Sequence, residues 1–306
     1  MLPIRSFFPL LVILVAPALS PAHESFLPLH HHTGSHQHAG HDHASEAPDG
    51  KVDHLHEPAS PFTEERFAIA TGGRYTRYAL GEDGPGHLWE TGLGIDYAVT
   101  PWFHLGGDVS YGWYDSAVGR ADGWMKPHAH LDFHIPIRSA WEIIVGLEVG
   151  FPGGDEALVG SHWEWAPHLE LRYDPGQWFA EAGASLSFIV GDKDNDHEGE
   201  AHAGAAHDHG DAVDFHEIVE PHGERELDYY GTLGVRLLDR RLTLAGRLAG
   251  VHVLVGETPA DDYLRAGLRV SYQLTGKVLL TTEASLPITD AERNQWQISA
   301  ALRVGF

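Results

Sequence analysis

Histidine supplies most of the chemistry this sequence could perform, accounting for 24 of its 306 residues. A neutral imidazole is the commonest side-chain donor to a transition metal, and it changes charge close to physiological pH. Ten histidines come early, at His23, His30, His31, His32, His36, His38, His41, His43, His54 and His56, with Asp42, Glu46, Asp49 and Asp53 among them. A second tract carries His197, His202, His207, His209, His216 and His222 among Asp192, Asp194, Asp196, Glu198, Glu200, Asp208 and Asp211. The tracts share a motif, since HAGHDH at 38–43 and HAGAAHDH at 202–209 both end in His-Asp-His. Neither has the fixed spacing of a structural zinc site, so labile binding of several ions is expected rather than one closed tetrahedral centre. The sequence has no cysteine, and its two methionines are Met1 and Met125. Selection by soft sulfur is therefore absent: Zn(II) leads, Cu(II), Ni(II) and Co(II) follow, and Cu(I) is disfavoured. A solvated, low-complexity cover without a specific ligand fits the same composition.

A third group is defined by period rather than by number. Lys126, His128, His130, Asp132 and His134 stand at alternate positions and share one face of a strand, while Met125, Ala129, Leu131, Phe133 and Ile135 share the other. His162, Glu164, His168 and Glu170 continue the pattern, with Glu142 and Glu148 between, and Glu90, Asp96, His104 and Asp108 precede it. The predicted metal-ligating set joins His128, His130, His134, His162 and His168 to the two tracts. Later strands contribute Arg236, Arg247, Arg265, Arg269 and Arg303, and the first contributes Arg74. An interior lined this way is electrically divided. It either passes polar solutes along weak cation sites or neutralises itself and plugs the bore.

The elements that must position these residues are strands. From about residue 65 onward, aromatic and β-branched residues alternate with glycine and polar residues, the period-two texture of a sheet with two unlike faces. The reading predicts twelve strands at 66–80, 88–99, 103–114, 124–137, 141–151, 161–173, 178–190, 227–237, 242–255, 262–274, 277–286 and 295–306. Connections alternate in length: 81–87, 115–123, 152–160, 191–226 and 256–261 are long, whereas 100–102, 138–140, 174–177, 238–241 and 275–276 are short. Outer-membrane barrels have an even number of strands, short periplasmic turns and longer external loops. The strands are also longer than those of ordinary globular sheets and long enough to cross a bilayer at a tilt. The fold class is thus all-β, a transmembrane antiparallel barrel of about twelve strands.

Residues 1–22 read as a secretory signal peptide, with Arg5, an apolar run from Phe7 and a small-residue site at Ser20-Pro21-Ala22. Residues 23–64 read as a flexible periplasmic arm too polar to offset its ordering entropy, and 65–306 as the barrel with an external His-rich loop at 191–226. A formal charge of -24 argues against a nucleic-acid partner and favours cations.

The last strand, ISAALRVGF ending at Phe306, resembles the C-terminal recognition signal of bacterial outer-membrane β-barrel proteins. The resemblance covers the chain from about Arg66 and implies a location in the outer membrane of a Gram-negative bacterium, among its lipids, after insertion by the outer-membrane assembly machinery. Small transporter-like barrels are a fair comparison, and the His-rich arm also resembles that of copper-resistance outer-membrane proteins. The His tracts are similar to the loops of zinc transporters. Twelve-stranded barrels further resemble outer-membrane phospholipases and lipid A deacylases, but the sequence has neither a His-x-Ser-Asn-Gly stretch nor a Gly-x-Ser-x-Gly elbow, and no enzyme is expected. The expected function is divalent metal binding, zinc first, with passage or homeostasis across the outer membrane. The alternatives are a general-diffusion or structural barrel whose tracts buffer metal or respond to pH, and a lipid-modifying barrel enzyme.

Overall fold

A computed structural model describes residues 66–79, 85–138, 140–191, 215, 219, 225–255, 263–289 and 296–306. The early histidine arm and the histidines of the 191–226 loop lie outside them. The elements are β1 (Phe67–Ala79), β2 (Pro85–Thr100), β3 (Phe103–Asp115), β4 (Arg120–Trp124), β5 (His128–Arg138), β6 (Trp141–Gly150) and β7 (Trp163–Tyr173). They continue as β8 (Trp178–Val190), β9 (Arg225–Leu237), β10 (Leu242–Val255), β11 (Tyr263–Thr275), β12 (Val278–Pro287) and β13 (Trp296–Gly305).

All pairings are antiparallel between sequence neighbours, and β1 closes the ring by pairing β13 on one side and β2 on the other. The short β4 is not a separate crossing. Both it and β5 pair with β3, β4 at Tyr111 to Asp115 and β5 at Phe103 to Asp108, so together they form one interrupted strand in a barrel of twelve crossings. Closure removes every free edge, the condition under which a sheet can sit in hydrocarbon.

The interruption at Met125, Lys126 and Pro127 corrects the expected strand in two ways. Tyr111 pairs Trp124 but Asp108 pairs His128, so the fourth crossing has gained one residue relative to β3, which makes it a bulge. Pro127 cannot donate to a ladder, which suits the break. The bulge reverses parity: Gly123 and Met125 face inward above it, and Lys126, His128 and His130 face inward below it. Met125 therefore leaves the lipid face predicted for it and is buried inside. Pairing also extends upward to Arg120, so the connection expected at 115–123 shrinks to a tight hairpin with Ser116 N–H donating to Gly119 O at 2.9 Å.

Inside and outside are inverted relative to a soluble protein. On β5, Phe133 and Ile135 are 39% and 49% exposed, whereas Asp132 and His134 are 1% and 2% exposed. The last strand behaves alike, with Gln297, Ser299 and Arg303 buried and Trp296, Ile298, Leu302 and Val304 on the outer face. Phe306 N–H donates to Phe67 O at 2.8 Å, tying the chain's end to the start of β1. The outer aromatics gather near the two rims. Trp141 packs on Tyr173 (ring centroids 4.5 Å) and Tyr173 on Trp178 (5.0 Å) at the short-turn end. At the long-loop end Tyr75 packs between Trp89 (4.5 Å) and Trp296 (5.0 Å). Amphipathic rings at both boundaries of an apolar belt are the girdles of a membrane barrel.

Candidate functional site in the barrel lumen

The polar face predicted for β5 is the inner wall, and each of its histidines meets an acid from another strand. His134 Nδ1 lies 3.2 Å from Glu142 Oε1 on β6, while His168 Nε2 on β7 lies 2.8 Å from Asp132 Oδ1. His130 Nε2 stands 4.0 Å from Asp96 Oδ1 on β2, reaching across β3, and His104 Nδ1 is 3.7 Å from the other oxygen of Asp96. The His104 and His134 rings are 4.6 Å apart. His128 Nδ1 is 3.9 Å from Asp108 Oδ2, its direct cross-strand partner.

Two glycines allow these crossings. A Cβ at Gly106 would overlap the His130 imidazole, and one at Gly146 would overlap both the Asp132 carboxylate and the His168 ring. Each glycine leaves the gap through which a side chain from the next strand lies across the wall.

His162 takes a different role from that expected. Its Nε2 accepts from Lys126 Nζ at 2.9 Å, and the same ammonium is 3.6 Å from Glu164 Oε2. An imidazole whose Nε2 lone pair serves a lysine does not present that atom to a metal. The five predicted lumen histidines are therefore spread along the wall rather than gathered at one point. Among the described residues no three His, Asp or Glu side chains stand as a ready-made ligand set.

The opposite wall carries the expected arginines, largely matched. Arg74 donates through Nε and Nη2 to both carboxylate oxygens of Glu90, and Arg269 pairs with Glu283. Arg265 Nη1 donates to Gln297 Oε1 at 2.5 Å, and Arg247 lies 4.4 Å from the centre of the Tyr230 ring. Arg236 sits at the short-turn rim, where both its Nη atoms reach the Asp174 carboxylate at 2.6 and 2.7 Å.

Two features escaped the sequence reading. Arg172 on β7 intrudes into the acidic wall and holds Glu142 (3.3 Å), Glu170 (2.6 Å) and Glu181 (3.2 Å), while Tyr230 O–H also donates to Glu170. Its even position, two beyond Glu170, was the available signal. The second feature is an apolar cluster inside the long-loop mouth, where Tyr78, Leu88 and Tyr114 from β1, β2 and β3 meet Met125, Leu158, Val159, Phe215 and Val219. Phe215 packs on Tyr114 with ring centroids 4.8 Å apart and its N–H donates to Ala157 O at 3.1 Å, while Tyr78 O–H donates to Val219 O at 3.1 Å. Large apolar residues at 215, 218 and 219, in an otherwise polar loop, were the hint.

A closed antiparallel ring with a lipid-facing apolar belt, aromatic rims and a charged bore defines the class: a transmembrane β-barrel of the bacterial outer-membrane type, at home in the outer membrane of a Gram-negative bacterium. The chain is similar in fold to the COG4313 outer membrane channel from Pseudomonas putida F1, with a TM-score of 0.57 at 11% identity, covering 79% of this chain and 96% of that one. A fainter likeness extends to the KdgM porin (TM-score 0.48, 11% identity, 78% of this chain and 99% of that one). The outer membrane phospholipase A from Escherichia coli is fainter again (TM-score 0.40, 15% identity, 77% and 95%). No protein-family model matches the sequence, and no curated protein matches it. The copper-resistance resemblance finds no support in these likenesses.

Proposed function

We propose that this barrel conducts small cations, divalent metal foremost and zinc first, across the outer membrane. The observation that carries the reading is the ladder of histidine and carboxylate side chains on one inner wall. From His134 to His128 it climbs about 20 Å of strand at roughly 3.3 Å per residue, with an acid beside each histidine. Weak, closely spaced cation sites of this kind favour entry without trapping the ion. In this reading the short turns are periplasmic, and the histidine tracts at 23–56 and 197–222 raise the metal concentration at either end.

Full-length protein reconstituted in vesicles loaded with a zinc-responsive dye tests it. External zinc should raise the signal faster than in empty vesicles, and Asp132→Asn with His134→Gln should slow the rise severalfold. Equal rates with and without protein would overturn the reading.

A general-diffusion or structural barrel is favoured by a different observation: Arg172 neutralises part of the acidic wall and the mouth cluster is apolar, neither of which selects for a cation. Passage of uncharged solutes at the same rate as zinc would support that alternative. Lipid-modifying activity would show as release of fatty acid from the same vesicles, and none is expected.

A further inference from the structure

The wall opposite the histidine ladder carries the other sign of charge. From β10 to β13 the residues with a full charge are Arg247, Arg265, Arg269, Glu283 and Arg303, all at inward positions, so guanidiniums far outweigh the one carboxylate. The register gathers three of these arginines around Gly267. Arg265 and Arg269 stand two residues to either side of it on β11, each about 7 Å along the strand. Arg247 is its direct partner on β10, and the buried Ser285 is its direct partner on β12. Glu283 leans over the glycine, since a Cβ at Gly267 would lie 3.2 Å from Glu283 Oε1.

Like charges crowded into a wall with little water repel one another, and an anion among them relieves the repulsion. Glu283 already does so for Arg269. The contacts of the other two leave their charge in place: Arg265 Nη1 donates to the neutral Gln297 amide, and Arg247 lies over the Tyr230 ring. A further donor adjoins them. Thr232, the direct partner of Arg247 on β9, is 4% exposed, and its Oγ1 is buried without a hydrogen-bond partner among the described residues. Such a hydroxyl has given up water and can still donate to an acceptor. The acid beyond it, Glu181 on β8, is held by Arg172 at 3.2 Å.

We infer that Arg247, Arg265 and Arg269, with the Thr232 hydroxyl, form a binding site for a small oxyanion, phosphate in size and charge, above Gly267. Planar forks of donors match the oxygens of phosphate and carboxylate, and several forks around one point hold such an ion better than any one of them. The absent side chain of Gly267 opens the space into which Glu283, an anion on a tether, already leans. The inference goes beyond the proposed function, because it concerns the basic wall and needs no metal flux. With a cation ladder on one wall and an anion site on the other, a metal ion and its counter-ion can share the bore.

Equilibrium dialysis of radiolabelled inorganic phosphate against full-length protein in detergent micelles tests the site, with EDTA present so that no metal ion bridges phosphate to histidine. The wild type should bind one phosphate per barrel, displaced by sulfate. Arg247→Gln with Arg265→Gln should weaken binding about tenfold. Glu283→Gln should tighten it severalfold by removing the competing carboxylate, a gain that a purely structural role for the cluster would not produce. The folded band on unheated gels identifies assembled variants, and should the arginine pair fail to assemble, Glu283→Gln decides. No saturable binding by the wild type, or an affinity unchanged in the assembled variants, would overturn the site. Zinc flux is measured separately in vesicles, so the anion site and the cation path fail independently.

Discussion

Arg172 is the residue on which the charge balance of the bore turns. Its guanidinium is 7% exposed and touches three carboxylates from β6, β7 and β8. A planar fork with several donors meets three acids at once, which an ammonium on a flexible stem cannot do. Removing it takes the shared cation from Glu142, Glu170 and Glu181 in a largely desolvated wall, with His134 still beside Glu142 and the Tyr230 hydroxyl still on Glu170. Arg172→Ala should destabilise the barrel by about 3–5 kcal/mol, the cost of breaking one side of a buried ionic cluster, and Arg172→Lys should recover only part of it. Urea unfolding in vesicles, followed by tryptophan emission, measures both; an alanine variant with the wild-type midpoint would show that water already screens the three acids. The histidines of the wall were legible in the sequence because alternation fixes which side chains share a face. Their partners were not, because the pairing of His168 with Asp132 or His130 with Asp96 crosses an intervening strand and depends on where Gly146 and Gly106 leave room.

At the scale of elements, strand length and alternation made all twelve crossings readable, and the closing strand with Phe306 was read residue by residue. The misplaced element was the fourth crossing. A period-two reading runs through Met125, Lys126 and Pro127 without interruption, whereas in the barrel one extra residue enters there and every inward position above it changes parity. Nothing in the composition of those residues except the missing N–H of Pro127 marks the shift. The turn between β9 and β10 poses a different backbone problem, since Leu238, Asp239 and Arg240 all have positive φ, at 52°, 53° and 66°. This left-handed run gives a two-stranded hairpin the twist it needs but is unfavourable for a residue such as leucine. Leu238 is exposed and contributes little packing that would be lost. Leu238→Asn should therefore stabilise the barrel by about 0.5–1 kcal/mol, since asparagine tolerates that conformation better. An unchanged or lower unfolding midpoint would mean that the strain is relieved elsewhere in the turn.

The whole molecule is an inverted protein whose outer face is matched to hydrocarbon and whose inner face is matched to itself, and each face can be challenged alone. Leu268, near the middle of β11, is 57% exposed on the outer face. Leu268→Arg should cost about 2–4 kcal/mol if that position lies at the bilayer midplane, and a cost near zero in the same unfolding measurement would displace the membrane belt toward a rim. The inner face meets a different limit at the long-loop mouth. There Phe215 and Val219 enter from the long connection, Leu158 and Val159 from the one before it, and both pairs pack on Tyr78, Leu88, Tyr114 and Met125. A patch of this kind excludes water from a bore that is largely polar below it, and an apolar constriction opposes ions even where its width would admit them. Conductance should therefore be limited at the mouth rather than by the charged ladder beneath. Phe215→Ala removes the ring that packs, tilted, against Tyr114 while leaving the β-strands and their pairings untouched. Single-channel recordings in planar bilayers should show at least a twofold rise in current for this variant, and a similar rise for Tyr114→Ala. Wild-type currents in both variants would move the limiting point down to Arg172, where Arg172→Ala should then raise the current instead.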